Sequence, residues 1–182
     1  MASLPSHAVA ALALGACFYR SEAPKSVWAL GAAVAMLPDA DVIGFRFGIP
    51  YQNVLGHRGI THSLLFALVV AVAGTLAFWR SGAGGISRGA LCLYLFLAAA
   101  SHGLLDAMTN GGLGVAFFAP FDNRRFFFPF RPIQVSPIGL ARFFSARAWA
   151  VIRSELVWIW VPSVVLITIA WVVRHLRDPT RS

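Results

Sequence analysis

The sequence predicts an all-α fold: a polytopic membrane bundle of about five transmembrane helices with a further helix lying in the interface. Three observations predict it. Of 182 residues, 58% are hydrophobic and only 12% are charged, with a mean hydropathy of +0.72, where soluble domains are about half apolar and about a quarter charged. The apolar residues fall into separate runs of near-spanning length. The basic residues, which give a net charge of +8, sit at the ends of those runs, where cations anchor helices and meet anionic lipid. That placement argues against nucleic acid, which needs a basic patch on a soluble domain. One domain, residues 1–182, suffices for this length. Cys17 and Cys92 lie inside apolar runs and behave as small hydrophobes.

The first run, residues 7–19, makes a short span with the residues before it. Leu14-Gly15-Ala16-Cys17 looks like a lipoprotein cleavage box, but no Lys or Arg precedes Arg20, so the basic region of a signal peptide is missing. The second run, 27–37, follows a polar hinge containing Pro24 and continues through Pro38-Asp39-Ala40-Asp41. Pro38 lacks a backbone donor and marks a kink or helix end. The third run is 63–79, a Gly-rich connection follows, and the fourth is 89–108. The fifth, 156–173, ends in Arg174-His175-Leu176-Arg177.

Residues 109–154 form a long segment over one end of the bundle, either a cap or a lid facing substrate. Its part 117–131 holds seven phenylalanines among Arg124, Arg125 and Arg131, a mixture suited to the headgroup layer. Residues 138–153 are expected as the interfacial helix. Leu140, Phe143, Phe144, Ala148 and Val151 would face lipid, with Arg142, Arg147 and Arg153 pointing outward.

Five spans alternate in direction, so the polar groups at their ends can be sorted by side. His7 opens the first, Asp39 and Asp41 close the second, and His57 and His62 open the third. His102 and Asp106 close the fourth, and Glu155 opens the fifth. All of these fall on one side of the membrane. The stretch Gly56-His57-Arg58-Gly59-Ile60-Thr61-His62-Ser63 is the densest of them.

His102 and Asp106, at i and i+4, share a helix face. Imidazole and carboxylate without thiolate suit Zn²⁺, Mn²⁺ or Fe²⁺. Asp41, His62, His102 and Asp106 are expected to form one four-ligand shell. His7, with Asp106 bridging and with help from His57 or Glu155, would hold a second ion. Two such ions are the usual machinery of phosphoester hydrolysis. Arg58 would neutralise a phosphate or stabilise the charged transition state, or else anchor the chain at the interface. Asp39 either contributes to catalysis, caps a helix or receives a hydrogen bond from Arg46. Thr61 and Ser63 either bond the histidines or cap the third helix. His175, at the opposite end in a basic tail, is a surface residue. Two other functions are compatible with buried charges in apolar spans: a transporter or metal permease, and a non-catalytic scaffold.

Ser6-His7, Leu37-Pro38-Asp39-Ala40-Asp41, the His57–Ser63 block, His102-Gly103-Leu104-Leu105-Asp106 and Val135-Ser136-Pro137-Ile138-Gly139 together resemble the bacterial and archaeal membrane-bound metal-dependent hydrolases. That group includes the LexA-regulated inner-membrane hydrolases of enterobacteria. The resemblance covers nearly the whole chain and implies hydrolysis in a prokaryotic inner membrane, without a settled substrate. The order His, Asp, His, then His-x-x-x-Asp is also faintly similar to the zinc-dependent phospholipase C and P1-type nuclease group. That likeness implies Asp41, His62, His102 and Asp106 as one zinc shell, with His7 and Asp106 as part of another. The chain lacks a further downstream His/Asp pair and its amino terminus is no obvious ligand, so one or two ions are expected rather than three. The implied substrate is a phospholipid or another lipid-linked phosphoester. Catalysis is expected from His57, Arg58 and Asp39, and metal binding from His7, Asp41, His62, His102, Asp106 and Glu155. Positive residues near the opposite end of the spans place the site face outward.

Overall fold

A backbone in hydrocarbon has to satisfy its own hydrogen bonds, so each apolar run folds as a helix. A computed structural model describes residues 1–19, 23–80, 87–137 and 148–177. Within them lie α1 (Leu4–Phe18), α2 (Lys25–Met36), α3 (Leu64–Arg80), α4 (Arg88–Ala107) and α5 (Ala148–Arg177). Among the described residues there is no sheet, only two isolated backbone bridges, Thr109 with Ile133 and Val115 with Phe126.

Three helices are long and apolar enough to cross a bilayer: α2 with its continuation to Phe47, α4 and α5. α1 has 15 residues and α3 has 17. At about 1.5 Å per residue these two reach roughly 22 and 25 Å, short of a hydrocarbon layer of about 30 Å. At Pro38 the α-helix gives way to a 3₁₀-helix, Leu37–Phe47. Gly48, at φ +75°, ends it in the left-handed conformation that glycine adopts without steric cost.

The interfacial helix expected over residues 138–153 is not a separate element where it is described. Residues 138–147, with Leu140, Arg142, Phe143, Phe144 and Arg147, lie outside the described residues, and Ala148–Glu155 is the start of α5. Val151, expected to face lipid, is buried at 1% exposure. Pro162 has no amide hydrogen to donate, yet the helix runs on because a wider π turn at Leu156–Trp160 precedes it.

α4 is the central helix and packs against α1, α2 and α3. Lipid tails are as apolar as the side chains, so helices associate through close packing of small residues. Ala11, Ala35, Ala67, Ala71, Ala98 and Ala99 fill this role in the core. The large exception is Tyr94, which is fully buried. It fits because a Cβ at Gly31 would collide with its ring and hydroxyl, so only glycine leaves the space. At the far end Arg174 donates to the carbonyls of Ala16 and Tyr19 and closes the C-terminus of α1.

Residues 109–137 form an irregular but hydrogen-bonded layer over the other end. Phe128 N donates to Ala107 O at 3.0 Å, Leu64 N to Phe117 O at 2.9 Å, and Ala116 N to Arg58 O at 3.0 Å. The layer therefore joins the end of α4 to the start of α3. Phe118, Phe121, Phe128 and Phe130 remain exposed on it.

Candidate metal centre

The site is built from the end of α4, the 3₁₀-helix after α2 and the glycine-rich loop before α3. A 3₁₀-helix has three residues per turn, so residues two apart diverge by about 120°. Asp39 and Asp41 therefore cannot face the same point. Asp39 turns into the bundle toward His62 and His102, and Asp41 turns to the loop. The loop folds back on itself tightly. A Cβ at Gly56 would collide with the carbonyl of Pro50, and one at Gly59 with that of Val54. Ser63 Oγ accepts from Phe66 N at 3.1 Å and caps α3. Thr61 Oγ1 donates to Asp41 Oδ2 at 2.7 Å and lies 3.0 Å from His62 Nδ1.

Four groups converge: Asp39, His62, His102 and Asp106 are all buried, and each offers an atom within 4.8 Å of the others'. His62 Nε2 and His102 Nε2 face each other at 3.0 Å. Asp39 Oδ1 is 3.7 Å from the first and 3.4 Å from the second, and Asp106 Oδ2 is 3.6 Å from His62 Nε2. A tetrahedral ion with bonds near 2.0–2.1 Å has ligand-to-ligand edges of about 3.3–3.4 Å, so these separations fit one to within a few tenths of an ångström.

The hydrogen bonding around the cluster points the same way. His102 Nδ1 lies 2.7 Å from the carbonyl of Ala35. A carbonyl only accepts, so Nδ1 carries the hydrogen and Nε2 keeps its lone pair for the cluster. Asp41 and Thr61 stand behind His62 at Nδ1 and aim its Nε2 likewise. Both Asp39 carboxylate oxygens are buried without a hydrogen-bond partner. A buried carboxylate without donors is costly, and a bound cation relieves that cost. Burial pulls the His62 pKa down, but the nearby carboxylates of Asp106, Asp39 and Asp41 outweigh burial and raise it to about 10.

The remaining predicted residues are placed as follows. Asp41, expected in the four-ligand shell, lies outside it but forms a second group with His57 and His62 whose ligand atoms also lie within 4.8 Å of one another: Oδ1 is 2.7 Å from His57 Nδ1, and Oδ2 accepts from Thr61 Oγ1. Asp39 takes the position expected for Asp41. His57 is buried, with Nε2 unpartnered. Burial lowers its pKa below the ordinary value against the raising pull of Asp41.

His7 stacks on His102 with ring centroids 3.7 Å apart. Its Nε2 is 3.7 Å from Asp106 Oδ1, and neither ring nitrogen has a hydrogen-bond partner. Among the described residues no third His, Cys, Asp or Glu joins His7 and Asp106 in a separate ligand group. Glu155, expected as a helper ligand, instead accepts from Ser3 N, Ser3 Oγ and Ser6 Oγ at 2.5–2.7 Å and ties α5 to α1. The α-amino group of Met1 is buried at the same end, and burial pulls its pKa down to about 6 against the raising effect of Asp106.

Arg58, expected to face substrate, is 0% exposed and ion-pairs through Nε with Asp106 Oδ2 at 2.9 Å. It is the one non-glycine residue with positive φ among the described residues, at +62°, a conformation costing about 1–2 kcal/mol.

Sequence reasoning missed Arg125. Its guanidinium donates to the carbonyls of His57, Tyr51 and Asn53 at 2.9–3.1 Å and covers the Tyr51 ring, clamping the glycine-rich loop. Nothing in its setting among phenylalanines separates it from Arg124, which is exposed and paired with Asp122.

A family model described as YdjM inner membrane protein matches residues 1–176. The inner membrane protein YbcI of Escherichia coli (strain K12) is 40% identical over 171 residues, 94% of this chain and 98% of that protein. The uncharacterized protein YvsG of Bacillus subtilis (strain 168) is 34% identical over 109 residues, 56% of this chain and 63% of that protein. No solved structure matches the chain.

Proposed function

The chain belongs to the YdjM inner membrane protein family, and from the geometry of the site we propose that it is a metal-dependent hydrolase acting on a lipid-linked phosphoester. One observation carries the reading. A donorless, buried Asp39 carboxylate faces two imidazole Nε2 atoms that point at each other across 3.0 Å. Asp39, His62, His102 and Asp106 would hold one divalent transition ion, Zn²⁺ by donor type, with Mn²⁺ or Fe²⁺ also suited. His7 and Asp106 Oδ1 supply two donors toward a second ion. When bound, such an ion acidifies water and withdraws charge from a phosphoryl oxygen.

The chain's own residues would handle the proton. Asp41 accepts the Nδ1 hydrogen of His57, which leaves the Nε2 lone pair free. His57 can then take a proton from the attacking water and return it to the departing alkoxide, so the phosphoester gains water overall and releases an alcohol. The surroundings support a lipid substrate. The site lies at the end of an apolar bundle, and the layer over it exposes Phe118, Phe121, Phe128 and Phe130 beside the exposed Arg124 and Arg131. Aromatic and cationic side chains of this kind suit a lipid headgroup layer, especially an anionic one.

The test is hydrolysis by purified protein in vesicles of anionic or zwitterionic phospholipid, with Zn²⁺, Mn²⁺ or Fe²⁺ restored. Metal-dependent release of a phosphomonoester or alcohol that is lost in His102→Ala supports the reading. Metal transport into proteoliposomes without hydrolysis would replace it with a permease.

A further inference from the structure

We infer that Arg58 is a positioning residue: it fixes the Asp106 carboxylate as a metal ligand and does not contact substrate. This rests on the metal reading of the cluster. An arginine that serves substrate keeps part of its guanidinium open. Here Nε faces Asp106 Oδ2 at 2.9 Å, Nη1 donates to Gly111 O at 2.9 Å and Nη2 donates to Thr109 Oγ1 at 3.0 Å. Both Nη atoms therefore donate to protein, Nε is ion-paired with Asp106 Oδ2 without forming a hydrogen bond, and the side chain is 0% exposed. Gly112 packs closely beside it: a Cβ there would lie 2.8 Å from Nη1 and 2.8 Å from the Tyr51 hydroxyl, so only glycine fits.

The clamp reaches the carboxylate from both sides. Ala2 N donates to Asp106 Oδ1 at 2.8 Å while Arg58 holds Oδ2, the same oxygen that lies 3.6 Å from His62 Nε2. Thr109 Oγ1 also donates to the Asp106 carbonyl at 2.7 Å, so the arginine is anchored to the turn that ends α4. Its backbone is held as firmly. Arg58 N donates to Asp41 Oδ2 at 3.2 Å and Arg58 O accepts from Ala116 N at 3.0 Å, which together secure the left-handed conformation. The guanidinium thus links the loop carrying His57 and His62 to the helix end carrying His102 and Asp106. It also balances charge. Asp39, Asp41 and Asp106 carry three negative charges around the site, and Arg58 offsets the one that a divalent ion would leave.

Cobalt(II) titration of purified protein in detergent tests this through affinity and visible absorption, with no substrate present. Arg58→Ala is expected to weaken cobalt binding about 10- to 100-fold, as removal of partners that orient ligands does, and to alter the spectrum. Arg58→Lys keeps the charge but cannot make the forked contacts, so it should restore part of the affinity without the wild-type spectrum. Thr109→Val removes one anchor and should shift both readouts in the same direction by less. Wild-type affinity and spectrum in a folded Arg58→Ala protein would overturn the assignment. If Arg58→Ala fails to fold, unchanged values in Thr109→Val would do so. Failure of the wild-type protein to bind cobalt would overturn the metal reading along with it, whereas normal wild-type binding with unaffected variants would overturn this inference alone.

Discussion

Exchanging Asp39 and Asp41 separately for asparagine distinguishes a ligand from the residue that orients one. Asp39 Oδ1 lies 3.4–3.7 Å from both cluster imidazoles, with no donor of its own. Asp41 touches His57 Nδ1 and Thr61 Oγ1, and reaches His62 only at Nδ1, on the side away from the cluster. Loss of a carboxylate behind a ligating histidine costs about 10- to 100-fold in metal affinity, or about 1.4–2.8 kcal/mol at 1.4 kcal/mol per tenfold. That is the expected effect of Asp41→Asn. Asp39→Asn replaces an anionic ligand by a neutral amide and removes half of the cluster's carboxylate charge, so it should exceed the top of that range, more than about 100-fold. Competition against a chromophoric chelator at fixed pH, with circular dichroism to verify folding, measures both. A larger loss in Asp41→Asn than in Asp39→Asn would refute the reasoning from the 3₁₀ backbone.

Without metal, His62 carries a proton with a pKa near 10, and metal has to displace it. Apparent zinc affinity should therefore rise about tenfold per pH unit from pH 6 to 8; a flat profile in isothermal titration would contradict this. Gly31→Ala should destabilise the protein by about 1–3 kcal/mol through overpacking against Tyr94. Gly89→Ala, whose nearest neighbour would be Ser87 Oγ at 4.0 Å, should cost nothing; thermal unfolding in one detergent ranks the two. A reporter fused after Ser182 should fold in the cytoplasm, and a cysteine at Asn123 should label from outside, because the end opposite the site carries the cations nearest the spans. The reverse pair of results would place the site in the cytoplasm.

Much of this architecture is legible in the sequence because apolar runs in lipid have one solution, and alternating spans sort polar residues by end. His7, Asp39, Asp41, His57, His62, His102 and Asp106 stand together for that reason. Which aspartate faces the cluster is not legible, since a local pattern does not announce that the backbone after Pro38 tightens to three residues per turn. The partners of Arg58 are equally hidden: Thr109 and Gly111 lie some fifty positions away in sequence and meet it only through the folded layer. Glu155 looked available as a ligand because Ser3 and Ser6, which occupy its oxygens, sit at the other end of the chain. The carbonyl of Ala35 that orients His102 belongs to a residue type with no polar side chain to betray it.

Zinc X-ray absorption on the purified, zinc-loaded protein tests the central claim most directly. The cluster of Asp39, His62, His102 and Asp106 requires a tetrahedral shell containing two imidazoles and two carboxylate oxygens, at about 2.0–2.2 Å. Both imidazole signals should weaken together in the His102→Ala protein as the ion is lost. A shell without imidazole, or one unchanged by His102→Ala, would contradict the assignment of this buried cluster as a metal centre.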